Sequence, residues 1–172
     1  MPIIAETERL ILRKIKLFDA SAMFEMDSNP NVLKYLTIDK IKSIEVSKQH
    51  ILNIQYQYEK CGVGRLAVVL KSTDEFIGWS GLKYIKEPIN NHKNIFDLGY
   101  RFLERHWGKG YATEAAQASL DYGFNTLNLK KIHAITMSDH TDSQSVLKKI
   151  GFQFQNIFSE KGFPHHWYSI SN

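Results

Sequence analysis

Arg105, Lys109 and the glycines Gly108 and Gly110 lie between an apolar run, Ile95–Leu103, and a stretch of helical periodicity, Tyr111–Leu127. A strand, a glycine-containing bend and a helix in that order gather free backbone N–H groups and the positive end of a helix dipole at one point. Such a point suits an anion, phosphate above all. Two glycines two residues apart let the anion approach the backbone with no Cβ in the way. The N–H groups of His106, Trp107, Gly108, Lys109, Gly110, Tyr111 and Ala112 form the candidate cradle, with Arg105 and Lys109 adding charge. The same spacing also serves a plain tight connection, in which Lys109 is a solvated surface lysine and Trp107 wedges the bend instead of covering a ligand.

Two other phosphate-binding patterns do not fit. A nucleotide P-loop needs Gly five residues before Gly108 and Ser or Thr after the lysine, where this chain has Leu103 and Gly110. Gly62-Val63-Gly64-Arg65-Leu66-Ala67 matches a dinucleotide fingerprint only loosely, because Leu66–Leu70 reads as a strand where that motif needs a helix.

Arg105-x-x-Gly108-x-Gly110 followed by Tyr111-Ala112 resembles the acetyl-CoA-binding motif of the GNAT N-acetyltransferases. The words Trp107-Gly108-Lys109-Gly110-Tyr111-Ala112-Thr113-Glu114-Ala115 resemble its Rim-type branch, the ribosomal-protein N-acetyltransferases and their relatives. Three further segments carry the likeness in the right order: Thr7–Arg13 as the opening strand, Phe76–Leu82 as a later strand, and Val146–Phe152 as the last helix and its turn.

The resemblance implies a mixed-sheet α/β (α+β) fold. Residues 1–172 would form a single domain, with a mostly antiparallel sheet, one parallel βαβ unit and helices on both faces. It implies acetyl-CoA as co-substrate, no metal, and a primary amine as acceptor, protein N-terminal or small-molecule. A homodimer is the family habit. It also implies that the strand from Asp97 to Leu103 parts from its parallel neighbour, through an inserted residue in the strand. The freed backbone groups near Phe102 and Leu103 would then pair with the pantetheine amides, and a backbone N–H such as that of Phe102 would hold the thioester oxygen.

Asp97 stands where related enzymes often carry an acid, and strand alternation puts it on one face with Gly99 and Arg101. A primary amine is mostly protonated at neutral pH, so a carboxylate or a water chain must take its proton. The bland alternative is a solvated acid opening the strand. Glu104 and Glu160 are weaker candidates. Before the last helix, Rim-like relatives carry Asn-x-x-Ser, and the Ser is a suggested acid for the leaving thiolate. Here the segment is His140-Thr141-Asp142-Ser143, so Ser143 is retained and His140 replaces Asn as a group able to bond backbone or cofactor. Ser143 as a simple helix-start residue stays open.

The elements that must position these groups are legible in outline. Arg9–Ile15 alternates as a first strand; Asp19 caps a helix over Ala20–Met26; Asn29-Pro30 restarts the chain as a short helix to Leu36. The resemblance implies that these helices form one wall of the acceptor groove, with the polar loop Glu87–Asn94 also in reach, while Phe24, Met26, Val32, Tyr35 and Leu36 read more simply as residues packed on the sheet. Ser43 caps a helix to Lys60, stopped by Gly62. Leu66–Leu70 and Phe76–Tyr84 read as a hairpin. Along Tyr111–Leu127, Ala112, Ala115, Ala116, Leu120, Phe124 and Leu127 make one apolar stripe, with Ser119 and Gly123 small enough for close packing on a sheet. Leu129–Met137 follows as the parallel neighbour. Asp142 caps a helix over Ser143–Ile150, Gly151 stops it, and Phe152–Phe158 and Trp167–Ile170 close the chain around a Ser159–Pro164 turn.

Totals narrow the function class. A chain of 172 residues can bury roughly 70% of its unfolded surface in one core. A net charge of +4 with no run of five like charges does not imply nucleic-acid binding. One cysteine, Cys61, excludes an internal disulfide and suits a reducing compartment. With no apolar run near 18 residues and no leader pattern, the reading is a cytoplasmic protein with no membrane partner. A non-catalytic acyl-CoA-binding module and a basic nucleic-acid module stand as the competing classes.

Overall fold

Apolar residues at alternate positions lay down the strands and decide which helix covers each face. In the computed structural model, which describes residues 1–172, eight strands form one sheet in the order β1-β2-β3-β4-β5-β6-β8-β7. They are β1 (Ile3–Glu6), β2 (Leu10–Lys14), β3 (Arg65–Leu70), β4 (Glu75–Ile85), β5 (Ile95–Phe102), β6 (Lys131–Met137), β7 (Gln153–Glu160) and β8 (Phe163–Ser171). Every neighbouring pair is antiparallel except β5 with β6. That parallel pair is joined by the helix α4 (Tyr111–Asp121), the expected βαβ unit.

One face of the sheet packs on α4 and on α5 (Thr141–Lys149). Leu10, Leu12, Leu66, Val68, Ile77 and Phe102 meet Ala115 and Ala118, while Leu98, Ile132, Ala134 and Tyr168 meet Ala116, Leu120 and Leu147. The other face packs on α1 (Ala20–Ser28) and α3 (Ile44–Cys61), where Ile15, Ala67 and Phe76 bury Ala20, Met23 and Ile51. Each fully buried leucine or isoleucine contributes about 1.5–3 kcal/mol. Small residues let α4 lie close to the sheet: Ser119 Oγ is 2.9 Å from Ser80 Oγ, and a Cβ on Gly123 would come within 2.8 Å of Ile132 Cδ1.

Several local expectations differ from the fold. β1 lies ahead of the expected first strand and forms the sheet edge. Asp19 is the N-cap residue of α1 as expected, but its side chain makes no capping bond. Its carboxylate is gripped by Arg13 at 2.8 Å through both oxygens and accepts the Lys16 N–H, so a 3-10 turn at Leu17–Asp19 comes first. The short helix α2 (Pro30–Leu33) is capped by Asn29 Oδ1 as expected in kind, but ends before Leu36. The α4 stripe continues to Thr126 through a π turn, Tyr122–Thr126. The residue before α5 is His140; Asp142 lies within the first turn, favourably placed toward the helix dipole. The last hairpin is tighter than expected, turning at Lys161 and Gly162, both with positive φ.

Candidate active site

The bend after β5 is built as a strand-to-helix cradle. A 3-10 turn, Glu104–His106, leads into Gly108 (φ 72°) and Gly110 (φ 82°), and Gly110 is the residue from which α4 starts. Both glycines occupy the left-handed region that side chains avoid. An ideal Cβ on Gly108 would meet nothing within 4 Å, so the backbone there is open to a ligand. The indole N–H of Trp107 donates to the Phe102 carbonyl at 2.9 Å, tying the bend back to the strand. Trp107 therefore braces the turn.

Charge reaches the cradle from an unexpected residue. Arg105 is turned away: its guanidinium is paired with Glu75 at 2.6 Å and with Glu25, which corrects its assignment to the anion seat. The Arg105 hydrogen bond holds the Glu75 carboxyl below its ordinary range. Buried His106 places Nε2 3.2 Å from Glu75 Oε2, so its side chain serves the same anchor. Arg9, from the β1–β2 connection, stands over the bend instead. It donates to the Lys109 carbonyl at 2.9 Å, stacks 4.5 Å from the Tyr111 ring centroid, and pairs with Glu114 at 2.7 Å. The Lys109 side chain is exposed beside it.

Behind the bend the sheet opens. β5 keeps an unbroken register with β4 from Ile95 to Phe102, yet pairs with β6 only at Asp97↔His133. Beyond that pair the strands part over five residues, about 17 Å of strand. The expected inserted residue is absent from β5; the opening lies between two regular ladders, β4–β5 and β6–β8. Leu103 N–H donates to Ile77 O, so Gly78↔Phe102 is a non-hydrogen-bonded pair, and Leu98, Tyr100 and Phe102 aim their backbone groups away from β4. The Tyr100 amide and the Phe102 N–H thus face the gap. The same geometry corrects the expectation for Leu103, whose N–H is committed to β4 and whose side chain packs with Met26 and Val32.

Asp97 lies at the closed end of the gap, on the α1/α3 face, and it is buried. Its Oδ2 is 2.6 Å from Arg65 Nη2, and Arg65 also donates to the Gly81 and Asp97 carbonyls. Gly99 leaves room for this guanidinium: a Cβ there would come within 2.7 Å of it. Burial pushes the Asp97 carboxyl above the ordinary aspartate range, against the pull of Arg65. The solvated-acid alternative is thereby excluded. Beside it, burial drives the His133 imidazole down to about 4, so it is neutral at physiological pH. Arg65 and Arg101 flank the Trp79 ring at 5.2 and 5.1 Å, and Arg101 pairs with buried Asp27 at 2.6 Å.

At the open end, α5 begins after a three-residue loop, Ser138–His140, that follows β6. The His140 ring stacks on Tyr35 at 4.1 Å and 9°, joining the α2 side of the molecule to the start of α5. Burial lowers the His140 pKa and keeps the ring neutral. Ser143, in the first turn of α5, lies 3.0 Å from the Tyr100 hydroxyl. Glu104 is drawn to α2 by the Asn29 and Asn31 amides, at 2.7 and 2.8 Å, and Glu160 ends β7 at the sheet edge, so neither belongs to the gap.

A strand pair that opens beside a glycine bend at a helix start matches a known domain. Residues 9–153 match the Acetyltransferase (GNAT) domain. The chain belongs to the GNAT acetyltransferase family. An uncharacterized N-acetyltransferase, p20, of Bacillus licheniformis is 34% identical over 154 residues, covering 90% of this chain and 84% of that protein. The spermidine N(1)-acetyltransferase of Escherichia coli is 25% identical over 158 residues, covering 91% of this chain and 80% of the enzyme. A GNAT-family acetyltransferase structure from Bacillus anthracis superimposes with a TM-score of 0.80 at 26% identity, covering 97% of each chain.

Within this GNAT chain, Arg9, Arg65, Tyr100 and His133 stand at the candidate site without having been singled out from the sequence. Arg9 had a readable signal: it lies inside the opening-strand segment that carried the resemblance. The others act through contacts between residues distant in the chain, with no local spacing to reveal them.

Proposed function

We propose that the protein transfers an acetyl group from acetyl-CoA to a primary amine, with a protein or peptide N-terminal α-amine as the acceptor class. The observation that carries the acetyl-CoA reading is the one-pair β5/β6 ladder opening onto the Gly108–Gly110 bend. The fit is chemical: backbone N–H groups of the bend and the α4 dipole suit a pyrophosphate, and the Tyr100 and Phe102 backbone groups facing the gap suit a chain carrying amides.

The residues divide the work as follows. The bend from His106 to Ala112, with Arg9 and Lys109 nearby, holds the diphosphate. Phe102 N–H polarises the thioester carbonyl and stabilises the oxyanion formed when the amine attacks. Asp97, directed by Arg65 and made more basic by burial, receives the proton the amine sheds, through water. Ser143 donates a hydrogen bond to the departing thiolate.

The α-amine reading follows from charge. Several carboxylates on this face have basic or amide partners: Asp97 has Arg65, Asp27 has Arg101, Glu25 and Glu75 share Arg105, and Glu104 has two asparagines. A polycation such as a polyamine finds no unpaired carboxylate among these, and meets exposed acids at Asp139 and Asp142 beside His140. An α-amine, with a pKa near 8, is also far easier to deprotonate than an alkyl amine near 10. No helix of the protein is long and apolar enough to cross a membrane. Exposed Cys61 suits a reducing cytoplasmic setting.

The test is a melting-temperature titration with acetyl-CoA, paired with a thiol-release screen across amine acceptors. Concentration-dependent stabilisation and thiol release are expected. No shift at millimolar acetyl-CoA overturns the reading; a shift with no release from any amine favours the acyl-CoA-binding module.

A further inference from the structure

Across the open end of the gap, a side chain from each lip meets the other. Tyr100 projects from β5 and Ser143 from the first turn of α5; the phenol oxygen is 2.9 Å from the Ser143 carbonyl oxygen and 3.0 Å from Ser143 Oγ. A carbonyl only accepts, so the single phenol proton is committed to it. The second contact must then carry the Ser143 proton, directed at the phenol oxygen. The orientation of the Ser143 hydroxyl is thus set by a residue on the opposite lip, 43 positions away in the chain.

We propose that Tyr100 is a positioning residue for the thiolate-stabilising hydroxyl of Ser143. The inference rests on the reading of the gap as the acetyl-CoA site. When the tetrahedral adduct collapses, the C–S bond breaks and its electron pair goes to sulfur. The Ser143 hydroxyl turns its proton from the phenol to the sulfur, and the phenol proton turns from the carbonyl to Ser143 Oγ. Two hydroxyl rotors move together, neither oxygen is ionised, and the thiolate takes its proton from water on release. Hydrogen bonds in such a chain polarise one another, so the Ser143 donor is strengthened at the moment charge appears on sulfur. Burial holds the phenol pKa above its ordinary value, so Tyr100 stays a donor across the neutral range.

Tyr100→Phe keeps the ring and removes the hydroxyl. With alanyl and seryl peptides bearing free amino termini as acceptors, kcat should fall about tenfold while KM for acetyl-CoA stays within about twofold. Ser143→Ala should fall at least as far, and the double variant should be no slower than Ser143→Ala alone, because Tyr100 acts only through Ser143. A second readout needs no acceptor: the affinity of CoA relative to acetyl-CoA, followed from pH 6 to pH 10. In the wild type it should rise as the CoA thiol ionises, and the rise should be lost in both single variants. Wild-type kcat in Tyr100→Phe, rate losses that multiply in the double variant, or a wild-type CoA affinity flat with pH would each overturn the proposal. A wild-type protein that binds neither acetyl-CoA nor CoA would instead remove the acetyltransferase reading beneath it.

Discussion

Arg9 and Glu114 lie 105 residues apart in the chain, yet the Arg9 Nε donates to Glu114 Oε2 at 2.7 Å. Glu114 also accepts from the Thr7 hydroxyl and the Arg9 backbone N–H, and Arg9 goes on to hold the Lys109 carbonyl. The start of α4 is therefore fastened to the β1–β2 connection, and the cradle's shape depends on a segment that contributes none of its backbone. Burial works to raise the Glu114 pKa, but the bonds from Thr7 and Arg9 outweigh it and leave the group lowered.

Arg9→Ala should lower acetyl-CoA affinity about tenfold by loosening the bend, and should cost about 1–3 kcal/mol of stability through the lost charge-assisted bonds. For a domain of this size that is a fall in Tm of roughly 2–4 °C per kcal/mol. Glu114→Gln should give a similar loss at pH 7. Because the folded-state pKa is depressed, Glu114's contribution is present above the ordinary glutamate pKa and disappears as pH falls through the folded value. The Tm difference between wild type and Glu114→Gln should therefore shrink in acid. A difference unchanged down to pH 3 would mean that the charge of Glu114 is not what fastens α4.

Gly110 tests the cradle from the inside. At φ 82° a valine is strained by about 1–3 kcal/mol, and its Cβ would sit 3.3 Å from the Arg9 guanidinium. Gly110→Val should raise KM for acetyl-CoA at least tenfold while the acceptor KM moves little. Titration calorimetry with CoA alone reads the same change; unaltered CoA affinity would place the diphosphate elsewhere.

The strand–bend–helix unit was legible in the sequence because its signals are local: an apolar run, two glycines, then a stripe at helical spacing. The small residues Ser119 and Gly123 do face the sheet as their position in the stripe implied. The side-chain assignments fared less evenly, because they depend on which distant residue reaches a charge first. Arg105 reads as an anion ligand until Glu25 and Glu75 are folded beside it. Asp142 reads as a cap because it is the acid nearest the helix, yet the helix starts one residue before it, at Thr141. The opening of β5 from β6 is a property of two ladders together, and neither strand's sequence contains it.

Asp97 and Arg65 can be separated by substitution. Removing one partner of a buried pair costs about 3–5 kcal/mol, so Asp97→Asn alone mixes stability with chemistry. Arg65→Met breaks the same pair and keeps the carboxyl, but without the pull of Arg65 its pKa rises further and more of it is protonated at neutral pH. With Asp97 as the proton acceptor, Asp97→Asn should lower kcat about a hundredfold at every pH with CoA affinity near wild type, whereas the kcat loss in Arg65→Met should shrink as pH rises through the raised carboxyl pKa, despite a comparable fall in Tm. A kcat loss in Arg65→Met that equals that of Asp97→Asn and does not change with pH would reduce Asp97 to a structural role.

The acceptor class makes its own prediction through pH. If the neutral amine is the reacting form, kcat/KM for an α-amine should climb through pH 7–8 and level off above about 8, near the amine's own pKa. For spermidine the climb should continue toward pH 10. At pH 7.5 the neutral fraction of an alkyl amine near pKa 10 is smaller than that of an α-amine by roughly two orders of magnitude. The paired carboxylates around Asp97, Asp27 and Glu104 give a polycation no compensating attraction. An alanyl peptide should therefore outrun spermidine at least tenfold at pH 7.5, with the ratio narrowing as pH rises. A spermidine kcat/KM equal to or above the peptide's at pH 7.5 would show that the protein offers a polycation an acidic surface outside this face, and would move the acceptor assignment to polyamines.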